Sequence, residues 1–510
     1  MRALAILLMA APAQAGPAFI DRSDALPAQE YSGGWEHFVG GGVAVFDCDG
    51  SGFPALFAAG GEAPARLFVN TTEAPGAPPA FAEAPLPELT GVTGAYPLDI
   101  DGDGHIDLAV LRVGANVLLR GDGDCGFTDA TDAWGFAGGD AWSTALAATW
   151  EPGADWPTLA VGNYVDRADP DGPFMACDSN TLHRPDAKRD ARRFAAPIPL
   201  APGWCALSML ISDWTRSGRR DLRISNDRHY YVRDGAEEMW RLDELRALGP
   251  EDGWERLSIW GMGIASRDIT GNGYPDVMLT SMGDQVLQFN EGGGVMRDAP
   301  FEQGATAHRP FIGDDGRPAT GWHAEFADVT NSGRADLFIA KGNVDQMPSN
   351  AMRDPNNLLI QEPDGTFTEH ADTAGIATTD RARGAALADL NRSGRLDLVV
   401  VNRRAPMELW ENATAAGHWV QIEPRADSPN TRAVGAWVEL RADGRVQRQE
   451  VTVGGGHAGG QAGPLHFGIG RQAAAEMRVI WPDGAVSDWV PVPVNARHAV
   501  EAHGAGLRLE

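Results

Sequence analysis

Positive charge is scarce in this 510-residue chain: 42 lysines and arginines stand against 70 aspartates and glutamates, a formal net charge of -28. That balance repels phosphate backbones and anionic lipid, which excludes nucleic acid as a partner and suits cations or a salty, exposed setting. Long apolar runs are also missing, and none reaches the 18 residues a membrane-spanning helix needs. Aromatic residues make up only 8%. No H-E-x-x-H zinc signature, no C-x-x-C pair and no convincing G-x-S-x-G elbow occurs, so no ready catalytic constellation is visible. His183, His229, His308, His323, His457 and His466 are scattered and read as surface or packing residues.

Cysteine is sparse, but the four present (Cys48, Cys125, Cys177 and Cys205) form an even set. The opening "MRALAILLMAAPAQA" has Arg2, an apolar run from Ala3 to Ala11 and a small-residue site at Ala13-Gln14-Ala15. That is the layout of a secretory leader over residues 1–15, cut before Gly16. A periplasmic or secreted protein is expected, and in that oxidising setting two disulfides. Three pairings are open; Cys177–Cys205, closing one insertion, together with Cys48–Cys125 is the expected one.

What the chain does hold is glycine, 62 residues, and proline, 34, without a collagen-like period, which predicts many short strands joined by turns. One phrase recurs among them. "DIDGDGHIDL" begins at Asp99, and variants begin at Asp47, Asp213, Asp268, Asp328 and Asp389. A seventh unit, "TWEPGADWPTL" from Thr149, keeps the flanks but not the acids. Successive starts lie 50 to 64 residues apart, an internal period that indicates a propeller or array. Each copy follows a small-residue strand such as "GGVAVF" and precedes an apolar one such as "DLAVLR"; two further strands complete the unit. Four strands make one blade, so the expectation is an all-β chain with a seven-bladed β-propeller over residues 16–412. The seventh unit stops at Asn412 with three strands. Phe19–Arg22 is expected to supply the fourth, which removes an open sheet edge.

Within each loop, oxygen donors fall at positions 1, 3, 5 and 9 with a backbone carbonyl at 7, a spacing that wraps a hard cation such as Ca²⁺. The expected sets are Asp99, Asp101, Asp103, His105 and Asp107; Asp213, Thr215, Ser217, Arg219 and Asp221; and Asp268, Thr270, Asn272, Tyr274 and Asp276. Asp328, Thr330, Ser332, Arg334 and Asp336, and Asp389, Asn391, Ser393, Arg395 and Asp397, follow the same plan, the seventh-position residues giving their carbonyls. The first copy offers Asp47, Asp49, Ser51 and the carbonyl of Phe53 but has Ala55 at position 9, so its site is weaker or completed differently. An EF-hand is excluded, because position 12 holds Ala58, Val110, Ile224, Leu279, Ile339 or Val400 in place of a bidentate glutamate. The competing reading is a set of metal-free Asx turns. Fourteen carboxylates packed into six short loops argue for ions with a structural role.

Beyond about His418 the period ends. "AVGAWVELRADGRVQRQEVTV" is a hairpin around Asp443-Gly444, and "GGGHAGGQ" is a glycine loop. "PLHFGIG" and "MRVIWPDGAVSDWVPVPV" add strands, giving a separate, small β-sandwich-like module over residues 418–510. The acidic loops together with "VGAWVEL…GGGHAGGQ…LHFGIG…VIWPDG" resemble the cartilage acidic protein-like family, in which an integrin-type FG-GAP/VCBS propeller carries a C-terminal ASPIC/UnbV domain. The resemblance implies Ca²⁺ binding and an extracytoplasmic location, and little about a partner. His457 departs from the aromatic residue usual at its position, and the third blade from the acidic loop.

Loops opposite the acidic ones carry Tyr164, Asp166, Asn226, Asp227, Arg228, Asn343, Asp345, Arg403 and Arg404. These are expected to ring one mouth of the channel and meet a protein or glycan partner, with the insertion from Asp166 to Cys205 covering the same face. The expected function is binding, by a secreted, calcium-stabilised interaction module. The alternative is a propeller hydrolase or lyase acting on carbohydrate or phosphoester at that mouth.

Overall fold

The computed structural model describes residues 16–169, 176–186, 192–227, 235–306, 317–427, 429–503 and 506–510. The expected leader, Arg228, His229 and His308 lie outside the described residues. Seven sheets form a ring, and their innermost strands are Val43–Phe46, Val92–Leu98, Ser143–Thr149, Ala206–Ser212, Gly261–Arg267, Gly321–Ala327 and Arg381–Ala388. These define blades 1 to 7. Each inner strand packs against the next, and that of blade 7 packs against that of blade 1, so the ring is closed. The protein is an all-β, seven-bladed propeller followed by a β-sandwich.

Sequence accounts for the layering. Strands nearest the axis converge, so they carry glycine, alanine and serine where bulk would collide. Second strands are pressed between neighbouring blades and are apolar on both faces. The six residues that exclude an EF-hand, Ala58, Val110, Ile224, Leu279, Ile339 and Val400, are all fully buried on these strands. Blade 7 takes its outer strand from the start of the described chain: Phe19–Asp21 pairs antiparallel with Glu408–Asn412, and Arg22 ion-pairs with Glu411 at 2.8 Å.

Both expected disulfides are present. Cys48–Cys125 ties the acidic loop of blade 1 to the outer hairpin of blade 2. Where blade 1 lacks a ninth-position acid, a covalent bond holds its loop. Cys177–Cys205 closes the insertion, whose described residues form the outer half of blade 3, strands Asn180–His183 and Ile198–Leu200, while Cys177 packs beside Phe38 and Tyr164 and Arg167 pairs with Glu36 at 2.7 Å on the far face.

From His418 onward, two four-stranded sheets pack around Val420, Ile422, Val438, Leu440, Phe467, Met477 and Val479. This tail has a core of its own, and it is also docked on the ring. It sits on the acidic-loop end of the ring, and residues 453–462 leave the sandwich to run down the propeller axis. There Val453 bridges Ala148, Gly454 bridges Leu210, Gly456 bridges Ile264 and Gly459 bridges Ala95. Gln461–Ala462 then adds as a parallel strand beside Val45–Phe46 of blade 1. The glycine loop thus exchanges backbone hydrogen bonds with five blades in turn.

From the other end a second segment, Tyr31 to Gly42, enters the same hole. Phe38 packs edge-on against Trp142 and Tyr164 at 5.6 and 5.7 Å between ring centroids. The Tyr31 hydroxyl donates to the Val39 carbonyl at 2.8 Å. The two plugs meet inside: the Gly40 N–H donates to Nε2 of His457 at 3.3 Å.

Candidate functional site

Each acidic loop is a turn closed by its own acids. The first-position carboxylate accepts amides from within the loop: Asp99 from Gly102 and Gly104, Asp268 from Gly271 and Gly273, Asp389 from Ser393 and Gly394, all at 2.8–3.0 Å. Glycine is needed at Gly104, where φ is 92°. The ninth-position carboxylate points inward and staples the loop to the third strand. Asp107 accepts from Ile100 and Gly121, Asp276 from Ile269 and Asn290, Asp336 from Val329 and Gln361, and Asp397 from Leu390 and Asn412. Asp221 has no such amides and faces Arg219 at 3.4 Å. The Asx-turn reading is thus physically realised, yet it uses only part of each carboxylate, which has about four acceptor positions.

Blade 2 brings the most acid together. One carboxylate oxygen each from Asp99, Asp101 and Asp107 lie within 4.8 Å of one another. Asp101 and Asp103 also reach the half-exposed Arg120 at 2.8 and 2.9 Å. The half-exposed Arg120, with the Arg192 guanidinium on the Asp101 carbonyl, faces four acids, and Asp107 is fully buried. Burial pushes the Asp107 carboxyl up to about 8, against two backbone amides that favour its charge. Burial likewise holds Asp276 and Asp328 at about 6 and raises Asp336 and Asp397 well above the usual carboxylate range. Buried, converging, incompletely neutralised oxygens are a donor set that fits a hard divalent cation.

The tail reads these same loops from above. A cavity of about 630 Å³ separates the two, lined by the first-position acids Asp47, Asp99, Asp268, Asp328 and Asp389 and by tail residues including Trp437. Around its edge the tail binds the acids directly. Thr431 donates to Asp99 Oδ2, Arg448 to Asp268 Oδ2 at 3.0 Å, and Gln421 to Asp389 Oδ2 at 2.9 Å. In three blades the same oxygen takes a tail donor. His466, inside its strand as expected, meets Asn331 Oδ1 of blade 6 at 2.6 Å, and Arg497 reaches the Gly52 carbonyl of blade 1. Glu439 in turn binds Arg216 of blade 4 at 2.7 Å.

His457 occupies the centre. Its Nδ1 faces the Met262 carbonyl at 3.4 Å while Nε2 accepts from Gly40, so the ring is neutral with its proton on Nδ1. Its own N–H donates to Nδ1 of His323 at 3.2 Å. Burial pushes His457 down to about 3, and His466 similarly. A folded-state value below the ordinary 6.5 contributes stability that is present above about pH 6.5 and is lost as pH falls toward 3. Acidification at constant calcium should therefore loosen the tail before the blades, seen as faster amide exchange at residues 453–462. His457→Phe should lessen this acid sensitivity without abolishing it, since His466 titrates in the same window.

At the opposite end the expected mouth does not exist, because Phe38 and Val39 fill it. Most of the residues assigned to it are buried structural groups. Tyr164 donates to Asp227 Oδ2 at 2.5 Å, Asn226 donates to the Ala236 carbonyl, and Asn343 donates to the Met347 and Ala351 carbonyls. Arg403, 1% exposed, binds the carbonyls of Gly33, Gly34 and His37. Asp166, Asp345 and Arg404 stay accessible, the latter two ion-paired at 3.0 Å. Asn226 is held by the Ala236 carbonyl and Glu238, and Arg403 by backbone carbonyls. Sequence reasoning missed the axial loop and Thr431, Gln421 and Arg448. A signal existed in Gly42 and Gly94, inner-strand glycines whose missing side chains leave room for Ala458.

The FG-GAP-like repeat profile matches residues 328–400, and the ASPIC and UnbV profile matches residues 426–506. Cartilage acidic protein 1 of Mus musculus is 27% identical over 171 residues, 31% of this chain and 23% of that protein. The Xenopus tropicalis protein of the same name is 34% identical over 83 residues, 16% of this chain and 11% of its own. The matches thus span less than a quarter of these relatives' length. Among solved structures, BBS1N in complex with ARL6DN covers 78% of this chain and 98% of its own at 10% identity and a TM-score of 0.45. The Dos1 propeller covers 76% and 95% at 9% identity and a TM-score of 0.36. The chain carries FG-GAP-like repeat sequence at residues 328–400 of its propeller and an ASPIC and UnbV domain at residues 426–506, and part of it is similar to cartilage acidic protein 1.

Proposed function

We propose that this protein is an exported, calcium-bound interaction module. Ions in the acidic loops stiffen a ring whose outer rim, far end and tail surface meet a protein or glycan partner. The observation that supports the reading most is the convergence of Asp99, Asp101 and Asp107 with a buried charge that the chain leaves largely uncompensated. In blade 2, Asp99, Asp101, Asp103 and Asp107 with the His105 carbonyl would hold the ion, and bound Ca²⁺ supplies the missing positive charge. Extracellular modules bind Ca²⁺ with a Kd of roughly 10⁻⁴–10⁻³ M, which suits a structural ion outside the cytoplasm. The two disulfides suit the same compartment.

Thermal melts with Ca²⁺ and with chelator test this. At ten times the Kd each occupied site adds about 1.4 kcal/mol. The effect has a defined pH dependence. Asp107, Asp276 and Asp328 have folded-state values raised above the ordinary 3.8, so without an ion their stabilising contribution is present at low pH and lost as pH rises through about 6 to 8. Calcium restores what deprotonation removes. Its increment in Tm should be larger at pH 8 than at pH 5, and identical melts with and without calcium at pH 8 would refute the assignment.

A further inference from the structure

Three blades present the same first-position oxygen to the tail, but the tail does not answer them alike. Asp99 Oδ2 meets the hydroxyl of Thr431 and Asp389 Oδ2 meets the amide of Gln421, both neutral donors. Asp268 Oδ2 meets the guanidinium of Arg448 at 3.0 Å, and this carboxylate is fully buried. The same guanidinium nitrogen lies 3.4 Å from the Gly271 carbonyl in the middle of that loop. The remaining donors of blade 5 are turned to internal bonds. The Thr270 hydroxyl donates to Asp276 Oδ2 at 3.1 Å. Asn272 donates its amide to the Asn290 carbonyl and accepts from the Tyr274 N–H.

We propose that Arg448 is the resident cation of the blade 5 loop, so that this loop takes no divalent ion while those of blades 2 and 7 do. The inference rests on the calcium reading above. A neutral donor leaves the carboxylate charge intact for an ion at the other oxygen. A guanidinium offsets it: Arg448, which also meets Glu439 at 3.2 Å, sets a positive charge against Asp268 and repels a divalent ion in the same loop at short range. The tail thereby sets the ion count of the ring: blade 5 is pinned by protein charge and blades 2 and 7 by dissolved ions. Loss of calcium would then leave the tail anchored at blade 5 while its neighbours loosen.

The test is ion location and count on the full chain, using long-wavelength anomalous diffraction from crystals grown with Ca²⁺ and elemental analysis of the dialysed protein. Wild type should show density at Asp99–Asp107 and none at Asp268–Asp276. Arg448→Met should gain one ion per chain, located at Asp268–Asp276, and Arg448→Lys, which keeps the charge, should gain none. An ion at Asp268–Asp276 in wild type overturns the proposal and leaves the calcium reading standing. So does a blade 5 loop that stays empty in a folded Arg448→Met protein. If Arg448→Met does not fold, the wild-type map and the Lys variant decide. Absence of ions from every loop, blade 2 included, overturns the calcium reading and this proposal with it.

Discussion

Gly94→Ala is expected to expel the glycine loop from the ring. A Cβ at Gly94 would lie 1.6 Å from the carbonyl oxygen of Ala458, and one at Gly42 would lie 1.8 Å from the same atom. No flexible side chain is available to move aside, since the obstacle is backbone. On one side the strand of Gly94 is fixed by pairing with Leu111, and on the other Gly459 is bridged to Ala95. Overpacking a well-filled core costs about 1–3 kcal/mol when side chains can shift, and more is expected here because only main chain can yield. The ring and the sandwich each keep their own core, so the expected product is a folded protein with a released tail. Proteolysis should cut it between residues 451 and 463, where wild type resists. Gly463→Ala, with nothing within 4 Å of the new methyl, is the matched control and should behave as wild type.

Arg383→Met should be comparably damaging for the opposite reason, a deficit of contacts. Arg383 is fully buried near the axis. Its guanidinium donates to the carbonyls of Phe38 at 2.9 Å, Ala382 at 3.0 Å, Asn343 at 3.2 Å and Val344, and lies 4.0 Å from the Trp322 ring centroid. Burial drives its pKa well below the usual arginine range, and the charge is held by carbonyl dipoles and an aromatic face. Methionine preserves much of the volume but leaves four acceptors short of a donor. At about 1–3 kcal/mol for each buried group left unsatisfied, a loss of more than about 4 kcal/mol is expected, a large part of a stability of about 5–15 kcal/mol. Denaturant melts would read the loss, and a shift of less than about 1 kcal/mol would mean that water replaces the guanidinium.

The ring was legible because its signals are local and repeated. Alternating acids and glycines, an apolar strand after each, and a regular interval required no knowledge of what lies across the axis. The closing strand Phe19–Asp21 was legible because blade 7 ran out of strands at Asn412. The acidic loops were legible as donor sets, though not that they would also serve as the seat of the tail. Docking was hidden for a physical reason: hydropathy reports that a residue is buried, not by what. "GGGHAGGQ" reads as a solvent loop because glycine runs commonly are, and the glycines of the inner strands fit a crowded axis equally well with or without a guest. Tyr164, Asn226 and Arg403 looked like partner contacts because polar loop residues usually face water. Here Arg403 spends its hydrogen bonds on the backbone that fills the hole, Tyr164 on the Asp227 carboxylate and Asn226 on the Ala236 carbonyl and Glu238, which no pattern along the chain could announce.

The meeting of Gly40 and His457 inside the hub has a consequence for how the molecule comes apart. A segment that follows the blades along the chain supplies the axle of the ring, and one that precedes them supplies its bearing. Heat should therefore free the axle before the ring gives way, since ring and sandwich each hold a core of their own. A shortened chain ending at Asn412 would be a wheel with a bare hub of unanswered peptide groups, prone to borrow an axle from whatever strand it meets.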